Sequence, residues 1–165
     1  MIMRNAVFAF SADPVTNGHI DIVRRASSLF DDIVIATTYE TGKSGAMFTH
    51  EERLDMCKLA FADIPCVFDY VYIESTAVEL CKTLNAKFLI RGIRGYTDLD
   101  YEYKLAYLNR KISDGFVETI FIPGDPKLSM FSSTTVRELI KLGVKTWEDM
   151  VPPDVATFIK TRGEK

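Results

Sequence analysis

Along the chain, short unbroken apolar runs alternate with longer stretches in which apolar positions recur every three or four residues. The runs at residues 6–10, 33–38, 67–73, 87–90 and 117–122 are β-branched or aromatic and predict five strands. Between them, Ile20, Val23, Ala26 and Phe30 fall on one helical face, as do Leu54, Cys57, Leu59 and Ala60, and further on Tyr101, Leu105 and Leu108. Thr49 with Glu52, Thr76 with Glu79 and Thr135 with Glu138 have the spacing of a capping box, in which hydroxyl and carboxylate satisfy two free backbone donors. Strands apolar throughout and separated by amphipathic helices are parallel strands covered on both faces. The predicted fold is therefore α/β: a doubly wound, Rossmann-like parallel sheet of five strands with helices on both faces. Two C-terminal helices, at residues 133–141 and 153–160, follow it. No repeat or linker interrupts residues 1–165, which read as a single domain.

Composition narrows the class. A chain of 165 residues that is 47% hydrophobic and 26% charged can bury a core without disulfide or metal staples. The odd number of cysteines, Cys57, Cys66 and Cys81, at unpatterned spacings suits buried thiols in a reducing compartment. The first apolar run ends at Ser11 and Asp13, too short for a secretion signal, and no run is long enough to cross a membrane. The expectation is a cytoplasmic protein with no membrane partner. The balance of 20 basic against 23 acidic residues argues against a nucleic-acid partner, yet leaves room for a local cationic site.

In a doubly wound sheet, ligands bind beyond the carboxyl ends of the strands, so the strand-to-helix loops carry the chemistry. The first loop leads into a helix near Thr16-Asn17-Gly18-His19, where free N–H groups favour an anion. His19 is either a donor to that anion or an exposed first-turn residue behind a Thr16 or Asn17 cap. The second loop contains Thr41-Gly42-Lys43-Ser44, but the first glycine of a P-loop would fall at position 37, a threonine. Lys43 is thus a solvated lysine or a cation reaching the strand ends. After the fourth strand, Arg91-Gly92-Ile93-Arg94 offers two guanidiniums suited to phosphate; the alternative is pairing with Asp98, Asp100 or Glu102. The last loop reaches Ser132-Ser133-Thr134-Thr135, and with Thr135 spent on its capping box, Ser132, Ser133 and Thr134 remain as surplus hydroxyls at a helix start. Each signal is weak alone. Four loops placing phosphate-suited groups on one sheet edge are the argument.

On these residues the chain resembles the phosphopantetheine adenylyltransferase family of the nucleotidyltransferase superfamily. The likeness covers nearly the whole chain and rests on Asp13-Pro14-Val15-Thr16-Asn17-Gly18-His19, Met47-Phe48-Thr49-His50-Glu51-Glu52-Arg53, Arg91-Gly92-Ile93-Arg94, and Phe131-Ser132-Ser133-Thr134-Thr135-Val136-Arg137. Threonine at position 16 is the distinguishing form, since relatives acting on nicotinamide mononucleotide or glycerol phosphate usually have histidine there.

The resemblance implies transfer of AMP from ATP to 4′-phosphopantetheine, giving dephospho-coenzyme A and pyrophosphate, with Mg2+. By matching position it makes His19 the transition-state donor. It assigns Ser11, Lys43, Ala77 and Arg91 to the phosphopantetheine, and Ser11, Ala12, His19, Gly92, Ile93, Arg94, Glu102, Leu128, Ser129, Met130, Phe131, Ser132, Ser133 and Thr134 to ATP. No protein ligand to a metal is implied, the Mg2+ accompanying the ATP phosphates. A homohexamer and feedback by coenzyme A are also implied. Two alternatives stay open: a nucleotidyltransferase for another phosphorylated acceptor, and a non-catalytic nucleotide or coenzyme A binding protein. One departure stands out. Where the family has Gly-Thr/Ser-Phe, this chain has Phe10-Ser11-Ala12, which puts a side chain where ligand could lie against backbone, while Ala12 frees some volume.

Overall fold

A computed structural model describes residues 4–38 and 46–162. Strands β1 (Asn5–Phe10), β2 (Asp32–Thr38), β3 (Val67–Ile73), β4 (Phe88–Ile93) and β5 (Glu118–Pro123) form one parallel sheet in the order β3-β2-β1-β4-β5. Helices α1 (Asn17–Ala26), α2 (His50–Ala60), α3 (Ala77–Thr83) and α4 (Tyr96–Ile112) are the crossovers, and α5 (Ser133–Lys141) and α6 (Pro153–Thr161) follow the sheet. The predicted doubly wound α/β fold is present, with four of its five strands within a residue of their expected limits.

Alternation along the strands sorts the core into two layers. Phe8, Ile33 and Ile35 pack with Ile20, Val23, Met56 and Cys57 on the α1/α2 side, where Val136, Trp147 and Val155 of the C-terminal segments join them. Val7, Ala9, Val34 and Leu89 face the other way, onto Val78 and Cys81 of α3. Capping explains where the crossovers start. Thr49 accepts from the Glu52 amide while Glu52 accepts from the Thr49 amide, and Thr76 and Glu79 repeat the arrangement.

Four expectations need correction. The hydroxyl that caps α5 is that of Ser132, which accepts from the Thr135 amide at 3.0 Å; Thr135 lies inside the helix. On α2, Leu59 is exposed, and Arg53 and Met56 are buried instead. The face of α4 bearing Tyr101, Leu105 and Leu108 is not core, since Tyr101 and Leu108 are exposed, as are Tyr96, Tyr103 and Tyr107. Of the three free thiols, Cys57 and Cys81 are buried but Cys66 only partly so.

The fourth strand also runs further than predicted, through Arg91 and Gly92 to Ile93. These residues pair with Phe121, Ile122 and Pro123 of β5, whereas the β1–β4 ladder ends at Phe8 and Ile90. Ala9 and Phe10 stay with Ala36 and Thr37 of β2. The sheet therefore divides at its carboxyl edge between β1 and β4, where the winding reverses and a ligand crevice is expected.

Candidate functional site

That division opens a cleft of about 380 Å³, bounded by Phe8, Phe10 and Ala9 of β1, Gly18, His19 and Ile22 of α1, and Arg91, Gly92 and Arg94 from β4 and its loop. Asp98 and Glu102 of α4 and Gly124, Asp125 and Leu128 beyond β5 complete it. One close approach favours glycine: a Cβ at Gly92 would lie 3.0 Å from Ile22 Cγ1, tighter than ordinary contact.

Thr16 caps α1, and His19 takes the place that glutamate holds in an ordinary capping box. His19 Nδ1 accepts the Thr16 amide at 3.0 Å, so the ring proton of the neutral imidazole sits on Nε2. Nε2 lies 3.3 Å from Arg94 Nη2. Both are then donors, and they cannot satisfy each other; an anionic oxygen between them would accept from both. Burial, followed by the nearby charges of Arg94 and Arg91, lowers the His19 pKa to about 3, so the ring is neutral at physiological pH.

Arg91 takes the structural alternative. Its Nε and Nη2 each donate to a Glu102 carboxylate oxygen at 2.7 Å, and its Nη1 donates at 2.7 Å to the Ala9 carbonyl, beyond the last β1–β4 pair. Arg94 differs: its amide donates to Asp98, but its guanidinium donates to no carboxylate among the described residues, and burial lowers its pKa. The cationic character expected of the site is thus concentrated on Arg94.

Behind the cleft, Asp13 is a hub of charge and hydrogen bonding. Its carboxylate accepts from the Met47 and Phe48 amides at 3.1 and 3.0 Å and lies 3.7 Å from Arg53 Nε and 3.4 Å from Arg137 Nη1. Arg53 in turn donates to the carbonyls of Phe48, Ser11 and Thr38. The first loop, the start of α2 and the start of α5 are thereby tied together. Asp13, Arg53 and Arg137 stand in three separate motifs of the sequence, and nothing local shows that they meet.

Of the residues singled out in the sequence, His19, Arg91, Gly92, Arg94, Glu102 and Leu128 line the cleft. Ala12 does not: it is fully buried with a left-handed φ of 54°. Ser11 offers its carbonyl to Arg53, Ile93 ends β4, and Ala77 opens α3 beyond the cleft lining. The surplus hydroxyls are engaged as well. Ser132 is the cap, Ser133 donates to the Pro14 carbonyl at 2.7 Å, and Thr134 accepts from Arg137. Ser129 follows a 3-10 turn spanning Pro126–Leu128, Met130 is exposed, and the Phe131 carbonyl accepts from the Thr16 hydroxyl. Lys43 lies outside the described residues.

A doubly wound sheet whose switch-point crevice holds a helix start, a neutral histidine donor and an arginine whose guanidinium donates to no carboxylate among the described residues defines a nucleotide-handling α/β enzyme. The cytidylyltransferase-like family model matches residues 8–139. The chain is 37% identical over 163 residues to the phosphopantetheine adenylyltransferase of Rhodopseudomonas palustris, covering 96% of this chain and 97% of that protein. It is 36% identical to the Caldanaerobacter subterraneus protein of the same name over 99% of both chains, and 38% identical to one from a Nocardioides species over 97% and 98%. The crystal structure of a lipopolysaccharide core biosynthesis protein from Thermoplasma volcanium superposes with a TM-score of 0.54 at 15% identity, over 75% of this chain and 98% of that one, and shares the fold. The chain belongs to the cytidylyltransferase-like family, in its phosphopantetheine adenylyltransferase group.

Proposed function

We propose that the protein transfers AMP from ATP to 4′-phosphopantetheine, forming dephospho-coenzyme A and pyrophosphate. The observation that carries this reading is the pair of donors, His19 Nε2–H and Arg94 Nη2, 3.3 Å apart and unable to satisfy each other. The acceptor phosphate is already an oxyanion, so the reaction needs neither base nor covalent nucleophile, only positioning and donors aimed at charge developing around the α-phosphorus. A neutral histidine that donates without titrating suits that role. Arg91, locked on Glu102 and Ala9, holds the two lips of the cleft in register and keeps donor capacity for an acceptor phosphate.

Magnesium enters with the nucleotide as part of the substrate. Among the described residues no three His, Cys, Asp or Glu side chains converge to hold a metal, and magnesium is commonly carried on substrate phosphates. No described helix is long and apolar enough to cross a membrane, and the three free thiols favour the cytoplasm as the site of action. The exposed Tyr96, Tyr103 and Tyr107 of α4 support self-association, for which light scattering should give six times the chain mass.

The direct test is pyrophosphate release from ATP, magnesium and 4′-phosphopantetheine, with coenzyme A added in a parallel arm to detect feedback. His19→Ala should lower the rate at least about 10²-fold, the loss typical of one preorganised donor. Release no faster than in that variant would refute the reading. Turnover confined to nicotinamide mononucleotide, or to CTP with glycerol phosphate, would move the assignment to another acceptor.

A further inference from the structure

Phe10 ends β1 inside the division of the sheet, opposite Thr37 and past the last pairing with β4. Period-two alternation puts its side chain on the same face as Phe8, under α1 and α2. Its ring centroid lies 4.5 Å from that of the His19 imidazole, with 36° between the planes. Behind it stand two core rings, Phe8 at 4.8 Å and Phe61 edge-on at 6.4 Å, both almost completely buried. Phe10 thus cannot move without disturbing rings locked in the core.

The imidazole is held at Nδ1, which lies 3.0 Å from both the Thr16 amide and the Thr16 hydroxyl, and both contacts leave the ring able to tilt about that atom. The Phe10 ring is the surface that opposes such tilting. It also covers one side of the imidazole with carbon. The resemblance puts glycine at this position, so the contact belongs to this chain.

We propose that Phe10 is a positioning residue for the transfer reaction: its ring fixes the plane of the His19 imidazole and keeps it dry, so that Nε2–H meets the phosphate in one orientation. The inference rests on the adenylyl-transfer reading for its consequence in rate, but the hold on His19 is observable without turnover. Charged groups facing the same cleft are Arg91 and Arg94 from β4 and its loop, Asp98 and Glu102 from α4, and Asp125 after β5, while β1 presents the uncharged Phe8, Ala9 and Phe10, with Phe61 buried behind Phe10. Burial and the two guanidiniums oppose protonation of His19, and the aromatic wall contributes to that burial.

Histidine-ring NMR on the 15N-labelled full chain tests this, since His19 and His50 are the only histidines and His19→Gln assigns the signal. The native ring should show a single Nε2–H tautomer with no titration above about pH 5. In Phe10→Gly it should exchange between tautomers and begin to titrate between about pH 5 and 7, with kcat about tenfold lower and the KM for ATP changed less than about threefold. Phe10→Tyr, which keeps a ring, should restore the single tautomer and bring kcat back towards the native value. If Phe10→Gly does not fold, Phe10→Leu carries the same readouts, with tautomer exchange and at least about threefold lower kcat. An unchanged tautomer and titration in the folded variant, or a change in KM alone, would overturn the proposal. Absence of pyrophosphate release in the native protein would defeat the adenylyl-transfer reading and leave the NMR result to decide whether Phe10 holds His19.

Discussion

Replacing Asp13 by alanine probes the junction on which the cleft is built. The carboxylate side chain is 6% exposed and faces Arg53 at 5% and Arg137 at 14%, so the group of charges is nearly dry. Its removal strips acceptors from the Met47 and Phe48 amides and leaves two guanidiniums without their shared counter-charge. Breaking a buried ion pair from one side typically costs about 3–5 kcal/mol. Arg53 keeps its bonds to the Phe48, Ser11 and Thr38 carbonyls, and Arg137 keeps its bond to the Asp13 carbonyl, which main-chain atoms supply in the variant as well. The lower end, about 3 kcal/mol, is therefore the better figure. In a domain of this size each kcal/mol lowers Tm by about 2–4 °C, so a fall of about 6–12 °C is expected by calorimetry. Asp13→Asn should fall less, because its carbonyl can still accept one amide while its NH2 opposes the other. A fall below about 2 °C for Asp13→Ala would show that the amides and guanidiniums are satisfied without the carboxylate, and would remove the reason for treating Asp13 as the hub.

Three further outcomes follow. The folded-state pKa of His19, about 3, lies below the ordinary value of 6.5, so the unfolded chain binds the extra proton. Stability should therefore decline as pH falls from 6.5 towards 3 and be independent of His19 above that window; Tm measured against pH should lose this component in His19→Gln. Ser132→Ala should destabilise by about 1 kcal/mol through loss of the α5 cap, seen in urea unfolding, and an unaffected midpoint would return the cap to Thr135. Gly92→Ala should drive its Cβ against Ile22 and cost about 1–3 kcal/mol in the same assay, with Ile22→Ala in the same chain recovering part of it; strict additivity of the two losses would refute the contact.

The strands were legible because each is a short apolar run whose residues favour a doubly covered sheet, and the starts of α2 and α3 because their capping boxes are local in sequence. What could not be read depends on partners distant in the chain. Arg91-Gly92-Ile93 has no strand pattern of its own; β5 supplies the ladder that extends β4 through it. Ser132 and Thr135 are both plausible caps by composition, and tertiary contact decides between them, with Ser133 held on the Pro14 carbonyl and fixing where α5 begins. His19 was visible as a helix-start residue, but its tautomer follows from the Thr16 amide and its neutrality from the guanidiniums and the rings around it. On α4, Tyr101 and Leu108 satisfy helical periodicity and yet are exposed, because periodicity reports an apolar face without saying what covers it.

Charge shows the same distinction most sharply. Two guanidiniums and three carboxylates line the cleft, so a count of charges would make it faintly acidic and a poor host for a triphosphate. Pairing reverses that conclusion. Glu102 is consumed by Arg91 through two 2.7 Å bonds, Asp98 accepts from the Arg94 amide, and Asp125 accepts from the Lys127 amide. Among the described residues the Arg94 guanidinium donates to no carboxylate, and it lies beside a histidine whose remaining ring proton points the same way. In a site from which water is partly excluded, one guanidinium with free donors and one neutral donor aimed at a single point attract an anionic oxygen more effectively than charges bound to one another. The balanced charges around them hold that point in place, which is the division of labour that a reaction run by positioning requires.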